Sequence, residues 1–160
     1  MAVKIINRYR FNTGLVLLTF YANDEKLLGI EVNNSRHLDI EGVFLTKSNK
    51  IIDESINQVR EYFARERREF NLPLDKQGDK FESKVYEELK NVKFGEIITY
   101  KELASKLGKE DGSRAVGNAL AKNKFPLIIP CHRVIKSDGN IGNYIGGEEA
   151  KKALLEFEQE

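Results

Sequence analysis

Cys131 is the single cysteine in this 160-residue chain, and His132 and Arg133 follow it directly. A thiol has a pKa of roughly 8.5 and is only a few per cent thiolate near neutrality, so sulfur needs a base or a positive neighbour to act as a nucleophile. His132 is a base of suitable strength. In an extended segment adjacent side chains point to opposite faces, which makes a bridging water the natural proton relay between the two. A third group must then hold the imidazole. The chemistry on offer is attack by sulfur, although the same residues also suit the commoner pairing of a small buried hydrophobe with a satisfied turn histidine.

The elements that would position these residues can be read on either side. Phe125-Pro126-Leu127-Ile128-Ile129-Pro130 is an apolar run whose last residue lacks a backbone donor and biases Ile129 towards extended geometry, so the run delivers Cys131 to a fixed place. Upstream, Thr99 with Glu102 three residues later predicts a capping box for a helix from Tyr100 to Leu107, which Gly108 ends. Ser113 is expected to cap a second helix, Arg114 to Lys122, giving a helix-turn-helix. On that second helix Val116 and Leu120 form the buried seam and Arg114, Gly117, Asn118 and Ala121 the open face. Its small residues suit close approach to a surface, or tight helix packing. Downstream, Asp138-Gly139 between apolar ends predicts a hairpin, read as a wing, and Glu148 to Glu160 predicts a closing helix.

Residues 1–47 read as strands, with Ala22 to Glu25 as a hairpin connection. From Ile52 the period changes to helical, with Ile56, Val59 and Phe63 on one side and Arg65 to Arg68 in a solvated charge run. His37 reads as a solvated loop histidine. Pro73, Gly78 and Asp79 mark a linker. The expected layout is α+β: an amino-terminal α/β domain over 1–72, a small antiparallel sheet with a helix; a linker over 73–80; and a mostly helical winged helix-turn-helix domain over 81–160.

Composition bounds the function. No apolar run approaches the about 20 residues that a membrane helix needs, and no leader pattern opens the chain, so no membrane association and no export are expected. One cysteine and two histidines offer no metal constellation, so no metal is expected, and a reducing compartment fits. Net charge is only +1, but residues 93–147 carry nine Lys or Arg against five Asp or Glu, whereas 148–160 carry two against five. The basic surplus sits with the motifs, which supports a nucleic-acid partner.

Pro130-Cys131-His132-Arg133-Val134, with Gly142-Asn143-Tyr144-Ile145-Gly146-Gly147 after it and Ser113-Arg114-Ala115-Val116-Gly117 before it, resembles the active-site region of the O6-alkylguanine-DNA alkyltransferases. The likeness is close over roughly residues 70 to 158. It implies a ribonuclease H-like amino-terminal domain and a DNA repair protein that flips out O6-alkylguanine, and O4-alkylthymine, and moves the alkyl group irreversibly to its own cysteine. The reaction would occur once per molecule, without a cofactor, on double-stranded DNA bound through the minor groove by a monomer. A cytoplasmic location would follow, or a nuclear one in a eukaryote.

The resemblance further implies that Cys131 is the acceptor, His132 its water-linked base and Glu158 the carboxylate orienting that base. Tyr100 would donate to guanine N3, with Val134, Tyr144, Ile145 and Gly146 lining the base site. The backbone N–H of Ile145 would face O6, at a position where the family usually has serine. Arg114 would fill the space left by the flipped nucleotide, with Ala115, Gly117, Asn118, Tyr100 and Arg133 also facing DNA and Asn123 bracing the turn before the active-site loop. Three other readings compete. They are a non-enzymatic lesion sensor, which Cys131 argues against; a winged-helix regulator, which leaves the Pro-Cys-His-Arg constellation unexplained; and a cysteine hydrolase, which would turn over thioesters.

Overall fold

A computed structural model of the chain describes residues 3–160, which divide into two compact units, one running to Lys76 and one from Gln77 to Glu160. In the first unit β1 (Ile5–Asn12), β2 (Leu17–Ala22) and β3 (Leu27–Val32) form an antiparallel meander. Asn23 closes its second turn by accepting from the N–H groups of Glu25 and Lys26 through its side chain. The fourth strand, β4 (Val43–Leu45), lies on the far side of β1 and runs parallel to it, so the order is β3-β2-β1-β4. The expected antiparallel sheet is therefore mixed. The segment after β3 carries the chain from one sheet edge to the other, through Asn33 and Arg36 at positive φ, and it enters β4 heading the same way as β1.

Helix α1 (Lys50–Phe63) is capped by the Asn49 side chain, which accepts from the Ile52 N–H. Ile52, Ile56 and Val59 are buried as their spacing requires, but the last apolar position is Tyr62 and not Phe63, which stays half-buried. The helix covers the sheet face carrying Leu18, Phe20, Ile30 and Val32, all fully buried, each worth about 1.5–3 kcal/mol of burial. Residues 73–75, expected in a linker, are tied to β3: Leu27 N–H donates to Pro73 O at 2.8 Å and Asp75 N–H to Leu27 O at 2.9 Å.

The second unit holds α2 (Lys80–Leu89), β5 (Ile98–Thr99), α3 (Tyr100–Lys106), α4 (Ser113–Ala121), a 3-10 turn (Cys131–Arg133), β6 (Val134–Ile135) and α5 (Glu148–Gln159). Asp79 and Glu82 cap α2 reciprocally, and Thr99 and Glu102 do the same for α3. Helices α3 and α4 form the expected helix-turn-helix, with one change. Gly112, not Ser113, is the N-cap of α4, because the turn is so tight that a Cβ there would lie 2.8 Å from the Cβ of Lys109. The wing also differs. The turn over Lys136 to Asn140 closes as read, but β6 pairs in parallel with β5 and no second hairpin strand is present among the described residues. The glycine-rich segment after Ile141 is a poor strand former.

Candidate active site

Cys131, the candidate nucleophile, is placed by an over-determined loop. Asn123 is fully buried; its Nδ2 donates to Ile129 O at 3.0 Å, while its Oδ1 accepts from Phe125 N–H at 3.0 Å and from Gln77 Nε2 at 2.9 Å. Gln77 also accepts the Lys124 N–H. These bonds clamp both ends of the apolar run and hold Leu127 at φ 76°, a left-handed conformation that a bulky residue keeps only under such constraint. The chain then turns: Cys131 N–H donates to Ile129 O and Arg133 N–H to Pro130 O. Cys131 and His132 therefore lie on a 3-10 turn and not in the expected extended segment, so their side chains diverge by about 120° and do not face oppositely.

His132 is fully buried and its Nε2 lies 2.9 Å from Glu158 Oε2. Burial alone would raise the Glu158 pKa, but hydrogen bonds and charge from His132 and Arg133 overcome it and hold the carboxyl well below the usual range. An ionised Glu158 can only accept, so Nε2 carries the proton and Nδ1 is the basic nitrogen. Nδ1 is buried with no hydrogen-bond partner among the described residues. Burial also lowers the His132 pKa, against the pull of Glu158, which keeps the imidazole neutral and able to take a proton.

Arg133, expected on the DNA face, is instead 5% exposed and structural. Its Nε and Nη2 each reach Glu158 at 2.8 Å and its Nη1 donates to Val92 O at 2.7 Å, so all three guanidinium nitrogens are engaged inside and the group is not presented to a phosphate. Sequence reasoning also missed Lys151. It is fully buried, and its Nζ donates to Val134 O at 2.5 Å and to Asn143 O at 3.1 Å. A signal was present: Lys151, Leu154 and Glu158 share one helical face, the buried one of α5.

Burial pushes the Cys131 thiol up to about 11, with hydrogen bonding from Asn123 and the charge of Lys151 acting the other way. Burial likewise brings Lys151 down to about 8, opposed by Cys131. Tyr100 opens α3 half-buried and is held above its ordinary pKa by burial and by Cys131, so its hydroxyl stays a donor. It packs against the loop at Gly142, where a Cβ would lie 3.0 Å from its hydroxyl, and it lies 3.8 Å from where a Cβ on Gly117 would project. Tyr144 sets its ring edge-on to His132 at 6.4 Å, with Ile145 and Gly146 half-buried after it. On α4, Val116, Ala119 and Leu120 are buried, Arg114, Asn118 and Ala121 are exposed, and Ala115 and Gly117 are half-exposed. The arrangement combines a buried thiol, a neutral base with a free nitrogen and a phenol donor beneath a small-residue helix face.

The domain that carries these residues has known relatives. Residues 80–160 match the model of the 6-O-methylguanine DNA methyltransferase DNA-binding domain. The methylated-DNA--protein-cysteine methyltransferase of Methanosarcina barkeri is 39% identical over 113 residues, 71% of this chain and 72% of that protein. The protein of the same name from Mycobacterium tuberculosis is 40% identical over 105 residues, 66% of this chain, and the match spans 64% of that relative's length. Among solved structures, that of Mycobacterium tuberculosis OGT in complex with DNA has a TM-score of 0.85 at 29% identity, over 96% of this chain and 92% of that one. The O6-methylguanine-DNA methyltransferase of Pyrococcus kodakaraensis has a TM-score of 0.69 at 31% identity, over 96% and 98%. With a thiol, base and carboxylate assembled inside the matched domain, this chain belongs to the 6-O-methylguanine DNA methyltransferase family.

Proposed function

We propose that the chain repairs double-stranded DNA by moving the alkyl group of O6-alkylguanine, and of O4-alkylthymine, onto Cys131. The observation that carries this reading is the buried His132, whose Nε2 is committed to Glu158 while Nδ1 has no partner among the described residues, one position along the chain from the only cysteine. In the reaction a water passes the thiol proton to Nδ1, and Sγ attacks the saturated alkyl carbon in line. The new S–C bond forms as the C–O6 bond breaks, and its electron pair goes to the guanine. The Tyr100 hydroxyl, donating at N3, and the backbone N–H of Ile145, donating at O6, stabilise the charge that develops there. The carbonyls of Cys131 and Val134 each have one lone pair engaged, by Val134 N–H and Lys151 Nζ, and a second available for the exocyclic amine that distinguishes guanine from adenine.

A base inside the duplex cannot reach a thiol that is 4% exposed, so the nucleotide is flipped, at a cost of a few kcal/mol. Arg114, exposed at the start of α4, fills the gap it leaves, while Ala115, Gly117 and Asn118 let the helix approach the minor groove closely. The thioether has no route back, because no second thiol is present to accept the group, so the protein acts once, as a monomer. Intact mass after mixing with O6-methylguanine duplex tests this: one methyl per molecule on Cys131, no further turnover, and no addition to Cys131→Ala. Continued turnover, or methylation of the variant, refutes it.

A further inference from the structure

The face of the amino-terminal sheet that α1 leaves uncovered is not bare. In register across the strands, Arg8 stands opposite Tyr21, and Arg10 opposite Thr19, which in turn faces Glu31. The segment after β3 folds back over this face, seating Leu38 so close to Gly29 that a Cβ there would lie 2.6 Å from it. Between sheet and segment is a cavity of about 720 Å³, a size suited to a small organic ligand. Arg8, Arg10 and Arg36 line it, and Arg36 is held there at φ 44°, a conformation unfavourable for arginine.

The charges in the cavity do not balance. Glu31 is its one acidic lining residue, buried at the floor, with Oε1 accepting from the Tyr21 hydroxyl at 2.6 Å and Oε2 approached by the Leu38 N–H at 3.5 Å. Three guanidinium groups against one carboxylate leave a surplus of two positive charges. Arg8 is fixed in place, its guanidinium 4.9 Å over the Phe44 ring, which sets its own edge against Tyr21. Neither Arg10 nor Arg36 forms an ion pair with a described residue. Like charges gathered round one cavity repel, and an anion relieves that repulsion.

We propose that this cavity binds a phosphate monoester of mononucleotide size. A monoester carries nearly two negative charges at neutral pH and so matches the surplus, where one carboxylate or one internal phosphodiester would leave it half met. The planar fork of arginine fits phosphate oxygens in pairs, and the hydroxyl of Thr19 supplies a further donor at the cavity floor. Such a monoester occurs on a free nucleotide and at the 5′ end of a nucleic-acid strand. The site lies outside the alkyl-transfer machinery and stands whether or not the reading of Cys131 holds.

The test is an amide NMR titration of the full chain with 2′-deoxyguanosine 5′-monophosphate, with 2′-deoxyguanosine, and with a short oligonucleotide bearing either a 5′-phosphate or a 5′-hydroxyl. The expected result is saturable shifts centred on Arg8, Arg10, Thr19 and Arg36 with a phosphorylated probe and none with its unphosphorylated counterpart. Response to the mononucleotide identifies a free ligand, and response to the 5′-phosphorylated strand alone identifies a strand end. The double variant Arg10→Ala/Arg36→Ala, both sites exposed, should bind at least tenfold more weakly while keeping its spectral dispersion and its reaction with O6-benzylguanine. The proposal is overturned if no probe gives saturable shifts, if the unphosphorylated probes bind equally well, or if the folded double variant binds as the parent does.

Discussion

Arg133 grips both carboxylate oxygens of Glu158, Nε on Oε1 and Nη2 on Oε2, each at 2.8 Å, and His132 shares Oε2 at 2.9 Å. The carboxylate that anchors the imidazole is thus itself held in place by the residue next to that histidine. Removing the guanidinium leaves a buried carboxylate without the cation that grips both its oxygens. Arg133→Met should lower the free energy of unfolding by about 3–5 kcal/mol, measured by urea denaturation. Unchanged stability with weakened duplex binding would instead return Arg133 to the DNA face.

The same carboxylate sets the acid limit of the fold. Its folded pKa is depressed, so its contribution is fully present above the unfolded value of about 4.3 and is lost as pH falls from there towards the folded value. Unfolding free energy should therefore drop on acidification below about pH 4.3, and this component of the drop should vanish in Glu158→Gln. The variant should also transfer more slowly, since the imidazole loses its anchor.

At alkaline pH two buried groups oppose each other. Lys151, with a folded pKa of about 8 against an ordinary 10.5, sheds its proton in the folded state first, so stability rises across that interval. Cys131, at about 11 against 9.0, keeps its proton longer when folded, so stability falls as pH climbs between those values. Guanidinium unfolding followed from pH 8 to 11 should show Cys131→Ala gaining on the parent above pH 9.0 and Lys151→Met lacking the rise. A small alkylating reagent should also react with Cys131 slowly at neutrality and progressively faster towards pH 11.

Asn123→Ala withdraws one donor and one acceptor from three partners, of which Phe125 and Ile129 are buried, the latter two residues before the thiol. A loss of about 1–3 kcal/mol for each group left unsatisfied is expected. The reaction should slow more than this destabilisation explains, because Leu127 would relax from its left-handed conformation and carry Cys131 with it. Single-turnover kinetics on folded variant at low temperature separates the two effects.

Gly142 sits at φ 80° with the Tyr100 hydroxyl 3.0 Å from where a Cβ would project. Gly142→Ala should displace the phenol ring and slow transfer on the order of a hundredfold, the scale set by misplacing a catalytic group by about 1 Å. Gly139→Ala, at φ 90° with open space around it, is the control for backbone strain and should react nearly as the parent does.

The legible parts of the molecule were those written in local chemistry. The Thr99 and Glu102 capping box, the period of α1 as far as Val59 and the buried seam of α4 follow from neighbours a turn apart, and each stands as the spacing implies. The pairing of His132 with Glu158, 26 residues away, was reached only through resemblance. Lys151 goes unread and Arg133 is placed on the DNA face because a charged residue reads as surface, whereas here backbone carbonyls satisfy Lys151 inside and a carboxylate with one carbonyl satisfies Arg133. The failed wing and the parallel β4 share one cause. Turn signals report where a chain reverses but not which strand it meets afterwards.

The distance along the chain between Cys131 and Glu158 also bears on biosynthesis. Residues emerge from the ribosome in order, so the sulfur appears before its base has anything to lean on, and the imidazole keeps no fixed tautomer until α5 docks. In a nascent chain the thiol keeps its ordinary value near 9.0 and lies open to small electrophiles, whereas in the closed fold burial raises it to about 11. Docking of the carboxy-terminal helix therefore both shelters the sulfur and gives the neighbouring imidazole its anchor.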